Sequence, residues 1–214
     1  MIPAEEANRR YFRRAYSTGR HGWEADKPSR YALALLEKIR KHVPKGTLLD
    51  LGCGEGRHSI AAAGLGFKVV GVDYEPLALK RAKKATKKAG VTGISFRKAD
   101  VFDLPYPGST FDVVLDYGCL HHQKKADWAV YRAGILKVMK RHAFLVLSVF
   151  SPRFRMFSGS QRKWHIAQGA YRRCFTRGDI TSLFGSDFDI LEIFEQKGHG
   201  GGFWHTLMKR RSHL

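Results

Sequence analysis

The chain has 214 residues, 43% of them hydrophobic, enough for one domain with a sizeable core. No apolar run approaches the length of a membrane span, and the opening MIPAEEANRR carries acids first and no apolar stretch, which excludes a secretory leader from the reading. Lys and Arg number 38 against 19 acids, a net charge of +19; unless it is a general compositional habit, such a field attracts nucleic acid or anionic surfaces.

Residues 1–30 interleave Tyr11, Phe12, Tyr16 and Trp23 with Arg9, Arg10, Arg13 and Arg14. A short helix is expected over about 5–16, then a loop through Ser17-Thr18-Gly19. Such a helix can pack amphipathically on the domain, and its arginines and aromatics also suit single-stranded nucleic acid. Ser29 then reads as the N-cap of a helix carrying Leu33, Leu35, Leu36 and Ile39, with Lys38, Arg40 and Lys41 near its C-terminal end. Pro44-Lys45-Gly46 is the turn that follows.

From Thr47 the chain reads TLLDLGCGEGRHSIAA. A short apolar run holding Asp50 leads into Gly52, Gly54 and Gly56, and after Arg57 the pattern turns helical. A buried strand, a glycine turn and a helix start fit that order. The next run, Lys68 to Asp73, is a second strand ending in an acid. Asp73 lies about 20 residues past the glycines, where a nucleotide-binding fold places its ribose ligand. A dinucleotide fingerprint wants a third glycine at position 57, which is Arg57 here. Asp50 would oppose a pyrophosphate and suits an ammonium group. An adenosine that carries an ammonium and no phosphate is S-adenosylmethionine.

On LDLGCGEGR at 49–57 and VVGVDYEP at 69–76 the chain resembles the class I S-adenosylmethionine-dependent methyltransferases, over roughly Tyr31 to Lys209. Within them it is similar to the small-molecule branch of the tellurite-resistance and thiopurine type. The resemblance implies an α/β, Rossmann-like, doubly wound sheet of seven mostly parallel strands with an antiparallel last strand, in a three-layer sandwich. It implies S-adenosyl-L-methionine as cofactor, with Asp50, Gly52, Cys53, Gly54 and Arg57 around its amino-acid part and Asp73, beside Tyr74, on the ribose hydroxyls. It also implies one methyltransferase domain over 1–214. Residues 1–30 would be a lid whose Tyr11, Tyr16 and Trp23 meet substrate, and 151–177 a substrate-side insertion.

Pro76 to Ala89 is a strongly basic helix: a solvated face, or a nucleic-acid patch. Ile94 to Asp100 reads as the third strand; the resemblance implies that Asp100 accepts from the adenine amino group while Val101 packs on the ring. Phe111 to Asp116 is the fourth strand, continuing as Tyr117-Gly118-Cys119-Leu120-His121-His122. Ligands in doubly wound sheets sit beyond the strands' carboxyl ends, so Asp116 and Tyr117 are expected by the cofactor, and His121 or His122 as a general base. Tyr117 departs from the arginine of the small-molecule branch. A helix over Trp128–Met139, a turn at Lys140-Arg141-His142 and a fifth strand over Ala143–Phe150 follow.

Ser151 to Arg177 is irregular and basic, with Arg153 as a candidate substrate contact. Thr176 and Asp179 form an approximate capping box. Strands are expected over Phe188–Phe194 and Phe203–Lys209. Cys53, Cys119 and Cys174 have no CxxC spacing and read as reduced thiols, which places the protein in the cytoplasm. His199 and His205 show no ligand spacing with His21 or His121, so no metal is expected. Three functions fit: methyl transfer to a small-molecule acceptor, methyl transfer to tRNA or rRNA, and cofactor binding without catalysis. The sequence is silent on oligomeric state.

Overall fold

The computed structural model describes residues 4–19, 21, 27–196 and 202–212. Helices α1 (Ala4–Thr18) and α2 (Arg30–His42) come first. Strand and helix then alternate as β1 (Thr47–Leu51), α3 (Arg57–Gly64), β2 (Lys68–Asp73), α4 (Pro76–Ala89) and β3 (Ile94–Lys98). After β4 (Phe111–Tyr117), α5 (Trp128–Val138) and β5 (Met139–Phe150) comes a hairpin, β6 (Trp164–Ala167) and β7 (Ala170–Arg173). The described chain closes with α6 (Arg177–Phe184), β8 (Phe188–Glu195) and β9 (Phe203–Arg210).

Seven strands form one sheet in the order β3-β2-β1-β4-β5-β9-β8. All neighbours from β3 to β5 are parallel, and β9 runs antiparallel to both β5 and β8. This is the doubly wound sheet expected from the sequence. Strand periodicity builds its two faces. Leu48, Val113, Val146 and Leu207 point one way and pack with Leu35, Leu36 and Ile39 of α2. Leu49, Val114, Leu145 and Met208 point the other way, with Tyr131 and Ile135 of α5 and Ile180 and Phe184 of α6. Burying each such Leu or Ile side chain contributes about 1.5–3 kcal/mol, before the entropy of ordering the chain is set against it.

Local signals mark the helix ends. Ser29 Oγ accepts from Ala32 N at 3.5 Å, and Arg40, Lys41 and His42 close α2 where the dipole favours cations. Thr176 and Asp179 cap α6 reciprocally, with Thr176 Oγ1 accepting from Asp179 N at 3.1 Å and Asp179 Oδ2 accepting from Thr176 N at 2.9 Å.

Three expectations are corrected. Lys140-Arg141-His142 is no turn between helix and strand, because β5 already begins at Met139. Phe111 pairs with Met139 and Val113 with Phe144, so the intervening residues bulge within the strand, and His142 takes φ 60° to do so. The third strand stops at Lys98, and Asp100 instead bridges to Asp103. The segment after β5 holds a regular hairpin where only irregular chain was expected.

Strand order reverses between β1 and β4, which opens a crevice at their carboxyl ends. Thr176→Ala should remove one side of the α6 cap and cost about 1 kcal/mol. A lower urea midpoint at unchanged slope would show it.

Candidate active site

β1 delivers the chain into Gly52, Gly54 and Gly56, all at positive φ. A Cβ at these positions would crowd its neighbours. A Cβ on Gly54 would lie 2.8 Å from Tyr16 Oη, and one on Gly56 would meet Phe96 and Ala82 at 3.0–3.1 Å. Cys53 is buried, donates its N–H to Val72 O at 2.9 Å, and burial pushes its thiol up.

Two acids shape this corner. Asp73, at the end of β2, accepts from Gly54 N at 3.0 Å and from Glu75 N at 2.9 Å. Burial nonetheless pushes it up to about 6. Asp50 accepts from Ser59 Oγ at 2.6 Å, and burial, with the charges of Asp116 and Asp73, pushes it up to about 7. Folding such groups raises their proton affinity above the ordinary carboxylate value. Their contribution to stability is therefore full below about pH 4 and is lost as pH rises through 6 to 7.

Asp116 is fully buried at the end of β4 and faces inward. Its Oδ1 accepts from Cys119 N at 2.7 Å; its Oδ2 accepts from Leu120 N at 2.9 Å and from the Tyr131 hydroxyl. Both oxygens thus have a positioning role in the turn at 117–122, which they hold to β4 and α5. Tyr117 lies between Arg57, whose guanidinium is 5.6 Å from its ring centre, and Phe203, stacked at 5.6 Å. His58 stands 4.4 Å from the same ring and accepts from Ser29 N at 3.1 Å; burial lowers it to about 3.

The two histidines of the turn differ. His121 stacks on Phe150 at 3.6 Å and accepts the Phe150 N–H through Nδ1 at 3.3 Å, so its proton sits on Nε2. His122 donates Nδ1–H to Tyr171 O at 2.9 Å, so its Nε2 carries the lone pair. Burial keeps both neutral, His121 well below the usual imidazole range and His122 at about 4.

Helix α1 covers this crevice. Tyr16 is buried, with its hydroxyl over the Gly54 turn. Phe12 packs edge-on to Tyr74 at 6.2 Å and to His122 at 4.9 Å. Arg9 pairs with Asp100 and lies 4.9 Å over Tyr74. The Tyr74 hydroxyl is buried without a hydrogen-bond partner among the described residues. Asp100 also accepts from Phe102 N at 3.0 Å, while Val101 is buried in the core. Tyr11 accepts from Arg172 at 2.7 Å, and Arg153 pairs with Glu195 at 3.2 Å. Trp23 and His199 lie outside the described residues. His205 is hydrogen-bonded to Ser148 at 2.9 Å and Gln196 at 3.2 Å.

Sequence reasoning missed Asn8, which donates to His122 O at 2.9 Å and accepts from Tyr171 N at 2.7 Å. No local pattern marks it. Ser59 could have been found, since the first turn of the helix after a glycine loop faces the strand just left.

The donor set fits an adenosine that bears an ammonium group. A buried acid of raised proton affinity sits before the glycine turn, two further acids follow β2 and β3, and the orphaned Tyr74 hydroxyl lies beside them. Among the described residues no cluster of three or more metal-ligating side chains occurs.

The chain matches the family model described as "Methyltransferase domain" over residues 42–198. An uncharacterized methyltransferase of Schizosaccharomyces pombe is 31% identical over 136 residues, covering 61% of this chain and 88% of that one. The 2-heptyl-1-hydroxyquinolin-4(1H)-one methyltransferase of Mycobacteroides abscessus is 28% identical over 60% of this chain, which spans 55% of that longer protein. Among solved structures, the Burkholderia thailandensis 1,6-didemethyltoxoflavin-N1-methyltransferase, with 1,6-didemethyltoxoflavin and S-adenosylhomocysteine bound, superposes at a TM-score of 0.77. It covers 99% of this chain and 92% of its own at 20% identity, a likeness of fold.

Tyr131→Phe should leave a fully buried carboxylate short of one donor, at about 1–3 kcal/mol. Faster amide exchange at Cys119 and Leu120 than at β4 would locate the loss in the turn.

Proposed function

Because this chain belongs to the methyltransferase-domain family and takes S-adenosylmethionine as its cofactor, we propose that it moves a methyl group in line onto a small-molecule acceptor. The observation that carries this reading is the meeting of the Gly54 turn with Asp73, 3.0 Å apart, at the reversal of strand order. The cofactor supplies an electrophilic methyl group on a sulfonium. Asp50 then answers its ammonium group, with Gly52, Cys53 and Gly54 alongside. Asp73 accepts from the ribose hydroxyls, and Asp100 from the adenine amino group. Arg9 shares or yields Asp100 when this happens, so α1 serves as the lid.

The acceptor side is bounded by Tyr117, Phe150 and Phe203, with the Phe203 ring 5.6 Å from that of Tyr117 and 5.0 Å from that of Phe150. Flat aromatic walls position a small apolar acceptor and exclude water. The Mycobacteroides and Burkholderia relatives are named for small molecules, which supports the same class here. If the acceptor is a hydroxyl or an amine, His122 is the better base of the pair. Its Nε2 lone pair is unprotonated at neutral pH, whereas His121 spends Nδ1 on the Phe150 amide.

A second acceptor, RNA, is favoured by α4. Lys80, Lys83, Lys84, Lys87 and Lys88 are exposed and form no ion pair among the described residues. Steeply salt-dependent tRNA retention that α4 Lys→Gln changes abolish would support it.

Calorimetry with S-adenosylhomocysteine should show uptake that tightens as pH rises from 5.5 toward 7.5. The sign follows from Asp50: free, it holds its proton to about pH 7, and an ammonium group beside it drives that proton off. Asp50→Asn should flatten the profile. A flat wild-type profile, or heat with a nicotinamide dinucleotide instead, would defeat the assignment. His122→Gln should lower kcat about 10²-fold or more on a hydroxyl or amine acceptor and leave cofactor affinity unchanged. Equal losses from His121→Gln would sink the distinction between them.

A further inference from the structure

The segment after β5 contains a feature the cofactor corner does not use. No acid stands between Ser151 and Phe175, while Arg153, Arg155, Arg162, Lys163, Arg172 and Arg173 do. The hairpin sorts its side chains sharply. On β7, Ala170, Tyr171, Arg172 and Arg173 are buried. On β6, Trp164 is 49% exposed and Ile166 60% exposed. Alternation puts those two on one face of the strand. The turn at Gln168 and Gly169, both at positive φ, is the tight kind whose twist matches that of its two strands. Trp164 is further held by stacking on Tyr171 at 6.0 Å.

Two large apolar side chains are thus held in water on the outer strand of a hairpin, at a cost in hydration. Along the same segment the cations are poorly neutralised. Arg155 and Arg162 are exposed and make no ion pair among the described residues, and Lys163 reaches Asp179 only at 4.0 Å. We propose that β6 docks on an anionic lipid bilayer, with Trp164 and Ile166 entering the headgroup boundary and Arg155, Arg162 and Lys163 against lipid phosphates. Tryptophan is suited to that boundary, and cations near it are drawn by the surface potential. A nucleic acid would stack on Trp164 but would leave Ile166 facing water, so lipid accounts for more of the surface. This docking does not rest on methyl transfer and is measured without the cofactor.

The hairpin's inner strand joins the surface to the crevice. Tyr171 N donates to Asn8, Tyr171 O accepts from His122, and Arg172 holds Tyr11. A bilayer touching β6 therefore lies one strand away from α1 and the 117–122 turn. An acceptor dissolved in lipid would meet the protein at its acceptor side.

Sedimentation of the full chain with vesicles of phosphatidylcholine, alone or mixed with phosphatidylglycerol, tests this. Binding should need the anionic lipid and fall with salt. Trp164→Ser with Ile166→Ser should weaken it at least about tenfold, as should Arg155→Gln with Arg162→Gln, about 1 kcal/mol per charge being a fivefold step. Brominated lipid should quench wild-type tryptophan fluorescence and spare Trp164→Phe, with circular dichroism confirming that each variant is folded. Absence of binding, or binding that survives both hairpin variants, would overturn the proposal. So would an RNA homopolymer that binds the hairpin and excludes vesicles, or a dimer in light scattering that Trp164→Ser dissolves.

Discussion

Three carboxylates buried at the carboxyl ends of adjacent parallel strands set the terms for everything around them. Asp73 on β2, Asp50 on β1 and Asp116 on β4 lie side by side in the sheet, with Leu51 paired to both Val72 and Asp116. A buried carboxylate is tolerable only if donors reach it. The chain supplies them by folding each following loop back on its own strand. Asp73 takes amides from the glycine turn and from α4's cap, and Asp116 takes two amides and a phenol from its own turn and α5. Asp50 takes one hydroxyl, from Ser59. It is also the acid with the most raised proton affinity, at about 7 against about 6 for the others. The least compensated acid is the one best placed to reward a cation.

This arrangement explains what could be read from residue order and what could not. The β/α alternation, the glycine turn and Asp73 are legible because each is specified within about one strand-turn-helix unit, where local sterics and periodicity decide. Asp116 is expected by the cofactor because it closes a central strand, and residue order does not show what holds it there. Its partner Tyr131 lies fifteen residues on, in the middle of an amphipathic helix where a tyrosine reads as core. The bulge at 140–142 was hidden because it depends on Phe111 pairing with Met139, a choice made by a neighbouring strand. The hairpin at 164–173 was hidden because its inward residues include arginines. Arg172 and Arg173 are buried against Tyr11 and Trp128, so apolar alternation never shows. Arg9 with Asp100 and Asn8 with Tyr171 are contacts across 91 and 163 positions. No pattern within a helix foretells them.

Helix α1 ties two regions together that the sheet keeps apart. On one side Arg9, Arg13 and Tyr16 reach Asp100, Glu75 and the Gly54 turn. On the other, Asn8 and Tyr11 reach Tyr171 and Arg172 of the hairpin. These contacts sit on successive turns of one helix, so it cannot lift from the Gly54 turn without loading the hairpin. Its anchors also differ in strength. The Arg13–Glu75 pair at 3.8 Å is half solvated and weak. The Asn8 bridge joins two peptide groups with both amide atoms. Opening should therefore pivot about Asn8, with the Arg13 and Tyr16 end moving most.

His121 and His122 are adjacent in sequence yet carry their protons on opposite ring nitrogens, and neither was set by its own neighbours. An amide of β5 fixes one ring and a carbonyl of β7 the other. The tautomers thus report where those two strands sit. A change that separated β7 from the turn would release His122 Nδ1–H and let the ring turn over, while His121, stacked on Phe150 at 3.6 Å, would stay. The orientation of the His122 ring is consequently a property of hairpin docking as much as of the turn that carries it.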